Sequence, residues 1–173
     1  YEVTRLGFKY NMTDIQAAIG LHQLRRLPQF HARRTNIARR YTEAFSEVAQ
    51  LETPPEREYV QHAWHLYSLR LNQECIGLSR NQFIEELKAR KIGTSVHFIP
   101  IHLHPYYQQR YGFKPDDFPV AFHEYQRMFS LPLYPRMTDQ DIEDVISAVT
   151  QIAKEHAVDP ASGERLASAQ ASD

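Results

Sequence analysis

Gly7-Phe8-Lys9-Tyr10-Asn11-Met12-Thr13-Asp14-Ile15-Gln16-Ala17-Ala18-Ile19-Gly20-Leu21-His22-Gln23-Leu24 reads as a polar loop running into a long helix. Thr13 is the cap, since a threonine hydroxyl accepts from the free amides of a first turn, and Asp14 adds a carboxylate where the helix dipole favours one. The loop ahead of it has the chemistry of a phosphate clamp. A phosphate monoester needs backbone donors, a helix N-terminus or cationic groups around its oxygens. Lys9 and Asn11 supply donors, Tyr10 a hydroxyl, and Gly7 a turn that lets backbone approach. On spacing alone a simple capped turn, with Lys9 solvated and Asn11 steadying the bend, accounts for the same residues.

Working outward, helical spacing runs through Ile15, Ala18, Ile19, Leu21 and Leu24. Pro28 should break or kink this helix by removing an amide donor and crowding the preceding turn. The pattern resumes at Phe30, Ile37, Tyr41, Ala44, Phe45 and Val48 as a second amphipathic helix, and Pro54-Pro55 closes the arm. Residues 62–72 alternate and are rich in aromatic and apolar groups, as a strand does. Ser79 caps another helix, with Gln82 completing a capping box, Phe83, Ile84 and Leu87 forming the apolar face, and Lys91-Ile92-Gly93 ending it. Thr94–Ile99 reads as a strand, Tyr106–Tyr111 as a short helix, residues 120–128 as helix, and Ser130–Pro135 as extended. Thr138 caps a final helix whose face is Ile142, Val145, Ile146, Val149 and Ile152. From Asp159 onward small polar residues predict a disordered tail. The sum is an α/β chain of the α+β kind: a long helical arm at residues 1–54, a small domain with a sheet and flanking helices at 55–158, and a tail at 159–173.

The composition of the 173 residues, 42% hydrophobic and 24% charged with a formal net charge of −1, is that of an ordinary globular protein and not of a dedicated nucleic-acid binder. No apolar run approaches the roughly 20 residues that span a bilayer. A single cysteine, Cys75, excludes an internal disulfide and suits a reducing cytoplasm; no histidine or asparagine motif beside it suggests a catalytic thiol. Tyr1-Glu2-Val3 is no initiator sequence, so a preceding segment is expected.

His97-Phe98-Ile99-Pro100-Ile101-His102-Leu103-His104-Pro105-Tyr106-Tyr107 packs three histidines and two tyrosines into a short span. Imidazole suits zinc, yet no cysteine or carboxylate lies close in sequence to complete a coordination shell, and no metal site is expected. Histidines closing strand ends and tyrosines packing fit the span as well as a binding role does. His62 and His65 sit on opposite faces of the predicted strand and are read as structural. The pairs Arg25-Arg26, Arg33-Arg34 and Arg39-Arg40 fall on the solvated flank of the helical arm.

These motifs, through about Ala157, resemble the DegT/DnrJ/EryC1/StrS family of sugar aminotransferases, pyridoxal-phosphate enzymes of aspartate-aminotransferase type (fold type I). The resemblance implies the C-terminal portion of such an enzyme: the arm and small domain that pack beside a large domain carrying most of the cofactor site. The family's commoner pattern at the loop is Gly-x-Asn-x-Arg-Met. Here Lys9 and Asn11 hold the two polar positions, a Lys-Tyr-Asn version that resembles the subgroup containing the aminotransferase for 4-amino-4-deoxy-L-arabinose on a uridine nucleotide. By resemblance, Asn11, with Lys9 or Tyr10, would reach across a homodimer to the neighbour's cofactor phosphate. His97 and His102 would line the sugar site, with Tyr106 and Tyr107 as weaker candidates on the nucleotide-sugar side. The implied reaction moves an amino group from glutamate, through pyridoxal 5'-phosphate, to a keto sugar on a nucleotide, for amino-sugar and polysaccharide (lipopolysaccharide) biosynthesis. The family's Schiff-base lysine is expected upstream; none of Lys9, Lys88, Lys91, Lys114 or Lys154 stands in such a motif, so no catalytic residue is assigned in this chain. Two alternatives follow from that lysine: a non-catalytic dimerisation or binding module, and a sugar dehydratase of the same family in which histidine replaces it.

Overall fold

A computed structural model describes residue 2 and residues 4–162. Of the tail expected at 159–173, residues 163–173 lie outside the described residues. The architecture is mixed α/β. Helix α1 (Asp14–Phe45) is followed by β1 (Leu51–Glu52), β2 (Tyr67–Leu71), α2 (Arg80–Ala89), α3 (Pro105–Tyr111), α4 (Pro119–Arg127), β3 (Met128–Leu131) and α5 (Asp139–Glu155), with single 3-10 turns at Ile101–Leu103 and Pro115–Asp117.

Local chemistry sets the helix starts. Thr13 with Gln16, Ser79 with Gln82 and Thr138 with Asp141 each form a complete capping box at the head of α1, α2 and α5. Pro28 does not divide the arm: α1 is one helix of 32 residues. Its missing amide falls on a solvent-exposed stretch, where water can serve the carbonyl one turn back and no packed neighbour forces a break. Helix α2 ends in a Schellman motif. Ile92 N–H donates to the Leu87 carbonyl and Lys91 N–H to that of Lys88, both at 2.9 Å. The left-handed position falls on Lys91 (φ 64°), not on Gly93.

The sheet is antiparallel in the order β1-β2-β3, with Leu51 opposite Leu71 and Tyr67 opposite Leu131. Strand β2 is shorter than expected. Residues 62–66 form an irregular approach in which Trp64 has φ 47° and accepts no ladder partner, while its own amide donates to His62 Nδ1 at 2.9 Å. The strand expected at 94–99 reduces to one bridge, Ser95 opposite Ser130. β3 ends at Leu131, one residue past the bridge, and residues 96–99 run on as irregular backbone to Pro100.

One core holds the domain. Ile37, Tyr41 and Phe45 of α1, Tyr67, Leu69 and Leu71 of β2, Phe83 and Leu87 of α2, Phe129 of β3, and Ile142, Val149 and Ile152 of α5 are all fully buried. Two tyrosines pin α1 to this core. Tyr41 donates its hydroxyl to the Pro132 carbonyl at 3.0 Å, and the Tyr67 and Thr42 hydroxyls lie 2.9 Å apart. Burial pushes the Tyr67 phenol up to about 12, partly offset by the Thr42 hydrogen bond. The N-terminal half of α1 is different. From Asp14 to Gln29 its side chains are exposed apart from the half-buried Ala17. No helix of the described residues is long and apolar enough to cross a membrane.

Candidate functional site

Lys9, Tyr10 and Asn11 sit in irregular backbone ahead of α1, and all three are exposed. The Phe8 and Tyr10 rings touch at 5.9 Å, and among the described residues neither Lys9 nor Asn11 has a hydrogen-bond partner. The helix end behind them is already occupied. Thr13 Oγ1 accepts from the Gln16 amide, Gln16 Oε1 accepts from the Thr13 amide at 2.9 Å, and Asp14 adds negative charge. An anion at this loop would therefore be met by the Lys9, Tyr10 and Asn11 side chains, with the dipole of α1 partly spent on its own cap.

The histidine loop divides into two settings. His97 is half-buried beside β3, with Nδ1 3.1 Å from the Ser130 hydroxyl and its ring edge-on to Phe98. His102 lies in the first 3-10 turn and is 6% exposed; its Nε2 is buried with no hydrogen-bond partner among the described residues. Its ring packs on Phe118 at 4.8 Å, and a run of rings continues through Phe113, Tyr111 and Tyr107 to Tyr106. His102 and Tyr106 thus belong to one aromatic ladder. Tyr106, 66% exposed, is its open end. No hydrogen bond or ring contact among the described residues joins this loop to Lys9, Tyr10 or Asn11.

A groove of about 1820 Å³ runs between α1 and the turn at residues 134–136; Arg26, Phe30, Arg34, His65 and Tyr134 are among its walls, and none of the six predicted site residues lines it. Most of its cations are engaged. Arg34 Nη1 donates to the carbonyls of Trp64, His65 and Leu133, Arg33 donates to the Met137 carbonyl and Asp139, and Arg40 pairs with Asp139 and Glu143. Arg33, Arg34 and Arg40 are therefore tertiary ties, not the solvated flank that helical geometry predicts. That geometry gave no information about which segments pack against the arm.

Glu86, Glu155 and His156 bring ligand-type atoms within 4.8 Å of one another. Their contacts are already made within the protein: Arg90 donates to Glu86 at 3.0 Å and to Glu155 at 2.9 Å, and His156 Nε2 lies 2.7 Å from Glu86, so the group ties the end of α2 to the end of α5. Ser130 is the site-region residue that sequence reasoning missed. Its contact with His97 crosses 33 positions of sequence, and only the strand register makes it.

Residues 1–150 match the model of the DegT/DnrJ/EryC1/StrS aminotransferase family, and the chain belongs to that family. Spore coat polysaccharide biosynthesis protein SpsC of Bacillus subtilis is 52% identical over 155 residues, 89% of this chain and 40% of that protein. An uncharacterized protein of Methanocaldococcus jannaschii is 51% identical over 156 residues, 90% of this chain and 40% of that one. Among solved structures, the putative sugar aminotransferase Spr1654 of Streptococcus pneumoniae superposes with a TM-score of 0.78 at 30% identity, over 89% of this chain and 38% of that chain. The aminotransferase TlmJ of Streptoalloteichus hindustanus gives 0.73 at 32% identity, over 87% and 39%. The chain thus spans about 40% of the length of the curated relatives it matches.

Proposed function

We propose that this chain is the C-terminal portion of a pyridoxal-phosphate-dependent aminotransferase that moves an amino group from glutamate to the keto sugar of a nucleotide sugar, with its large domain and Schiff-base lysine in a preceding segment. The observation that carries the reading is the family match over residues 1–150. Spr1654 has been solved in both a PLP form and a PMP form, each superposing on this chain at 0.78. The name of SpsC supports a polysaccharide pathway, and the Lys9-Tyr10-Asn11 sequence favours the arabinose-like subgroup.

The residues present suit the cofactor. Bound pyridoxal phosphate supplies the aldehyde that takes up and releases the amino group. Asn11, joined by Lys9 and the Tyr10 hydroxyl, offers donors to its phosphate from an exposed loop that none of the described residues covers, as donation across a homodimer requires. His97 and His102 present imidazoles, and Tyr106 a phenol, toward the sugar and its phosphates. The buried, unpartnered Nε2 of His102 supports this, because such an atom left unpaired costs about 1–3 kcal/mol.

The test is the full-length enzyme carrying Asn11→Ala. Loss of one hydrogen bond to a charged phosphate should weaken cofactor affinity about tenfold or more, read by titrating visible cofactor absorbance. Unchanged affinity would remove Asn11 from the site. Full-length protein that takes up no pyridoxal phosphate at all would overturn the aminotransferase reading.

A further inference from the structure

We infer that Ser130 is the positioning residue for His97: it grips the histidine loop by backbone and by side chain, and so aims the other ring nitrogen, Nε2, at the sugar. The inference rests on the proposal that His97 faces substrate. Ser130 lies on β3 opposite Ser68 and is 4% exposed. Its other backbone edge holds the loop. Ser130 N–H donates to the Ser95 carbonyl at 2.7 Å, and Ser95 N–H donates back to the Ser130 carbonyl at 3.2 Å. Two residues on, its hydroxyl meets His97 Nδ1 at 3.1 Å.

Three contacts on one buried residue leave the imidazole little freedom. The serine hydroxyl can donate to or accept from Nδ1, so the contact fixes the direction of the ring in either tautomer and leaves Nε2 to meet a ligand. The Ser68 hydroxyl stands 3.5 Å from that of Ser130, too far for a good hydrogen bond. The His97 contact is therefore the short one that the Ser130 hydroxyl makes. A serine fits the task because the hydroxyl is carried on a strand whose register is fixed on both sides, the kind of rigid support a binding group needs.

The experiment uses the full-length enzyme with 15N-labelled histidine, His97 being assigned by its disappearance in H97Q. The Nδ1 shift of His97 should move in Ser130→Ala, where the hydroxyl partner is lost, and recover in Ser130→Thr, which keeps the hydroxyl. Ser130→Ala should also raise KM for the nucleotide sugar about two- to tenfold, the value of one modest hydrogen bond, with kcat within about twofold. A denaturation midpoint for each variant separates these effects from general destabilisation. Unchanged His97 shifts in Ser130→Ala would overturn the inference whatever the enzyme does. Shifted resonances in Ser130→Ala, together with an H97Q enzyme of normal KM, would uphold the anchor and overturn the placement of His97 at the sugar.

Discussion

Arg34 shows how much a single side chain organises here. Its guanidinium reaches three carbonyls, at Trp64, His65 and Leu133, and so holds the approach to β2 and the exit from β3 against α1. One of those carbonyls belongs to Trp64, whose left-handed backbone is unfavourable for a bulky residue and needs such support. Arg34→Met keeps most of the aliphatic stem and removes every donor. It should cost about 2 kcal/mol, seen as a lower urea midpoint with an unchanged slope, since half-buried carbonyls lose a charged partner. An unchanged midpoint would show that water replaces the guanidinium without loss. The paired arginines are visible in the sequence, but their partners lie about 30 and 100 residues away, a separation that helical periodicity does not encode. His97 and Ser130 repeat the lesson: residue types announce a candidate, and only the register of β3 supplies its partner.

The helices are the part most open to reading at the element scale, because their start signals are local. Thr13, Ser79 and Thr138 cap the helices where expected, and the apolar face of α5 buries Ile142, Val145, Val149 and Ile152 as its spacing requires. The sheet is less open. A two-residue β1 carries no periodicity at all, and whether residues 94–99 pair depends on a strand edge far along the chain. The head of α5 is also where pH should act. The Thr138 amide, and then its hydroxyl, hold the Asp141 carboxyl below the usual aspartate range, and Arg33 does the same for Asp139 by hydrogen bond and charge. Both carboxyls bind protons less readily folded than unfolded. Their contribution is therefore complete above the unfolded-state value, about pH 4, and is lost as pH falls through the lower folded value. Urea midpoints at neutral pH and near pH 3 should fall further for wild type than for Asp141→Asn. Equal falls would exclude Asp141 from the acid response.

Considered whole, the molecule joins a packed domain to an uncovered rod. At about 100° per residue, Ile15, Ile19, Leu27, Leu24 and Leu21 stand at about 0°, 40°, 120°, 180° and 240° around α1. Each is at least half exposed, Leu27 least at 54%. An apolar surface covering about two-thirds of a helix belongs to an element enclosed by more than one neighbour, not to a one-sided amphipathic arm. The isolated chain should therefore self-associate, and Ile19→Lys with Leu24→Lys should shift it toward monomer in light scattering while leaving its denaturation midpoint nearly unchanged. A wild-type chain that stays monomeric at high concentration would show that this surface is tolerated in water.

The rod also has an angular meaning. Because Lys9, Tyr10 and Asn11 ride on the end of a helix that is anchored only near its far end, each residue of α1 sets a bearing as well as a length. Removing one residue from the exposed stretch would shorten the reach by only about 1.5 Å but swing the loop through about 100°. Removing seven would shorten it by about 10 Å yet return it to within about 20° of its original heading. For the phosphate contact proposed above, length changes in this segment would be limited by phase more tightly than by distance: changes near whole turns would keep the loop on its heading, and single-residue changes would turn it away.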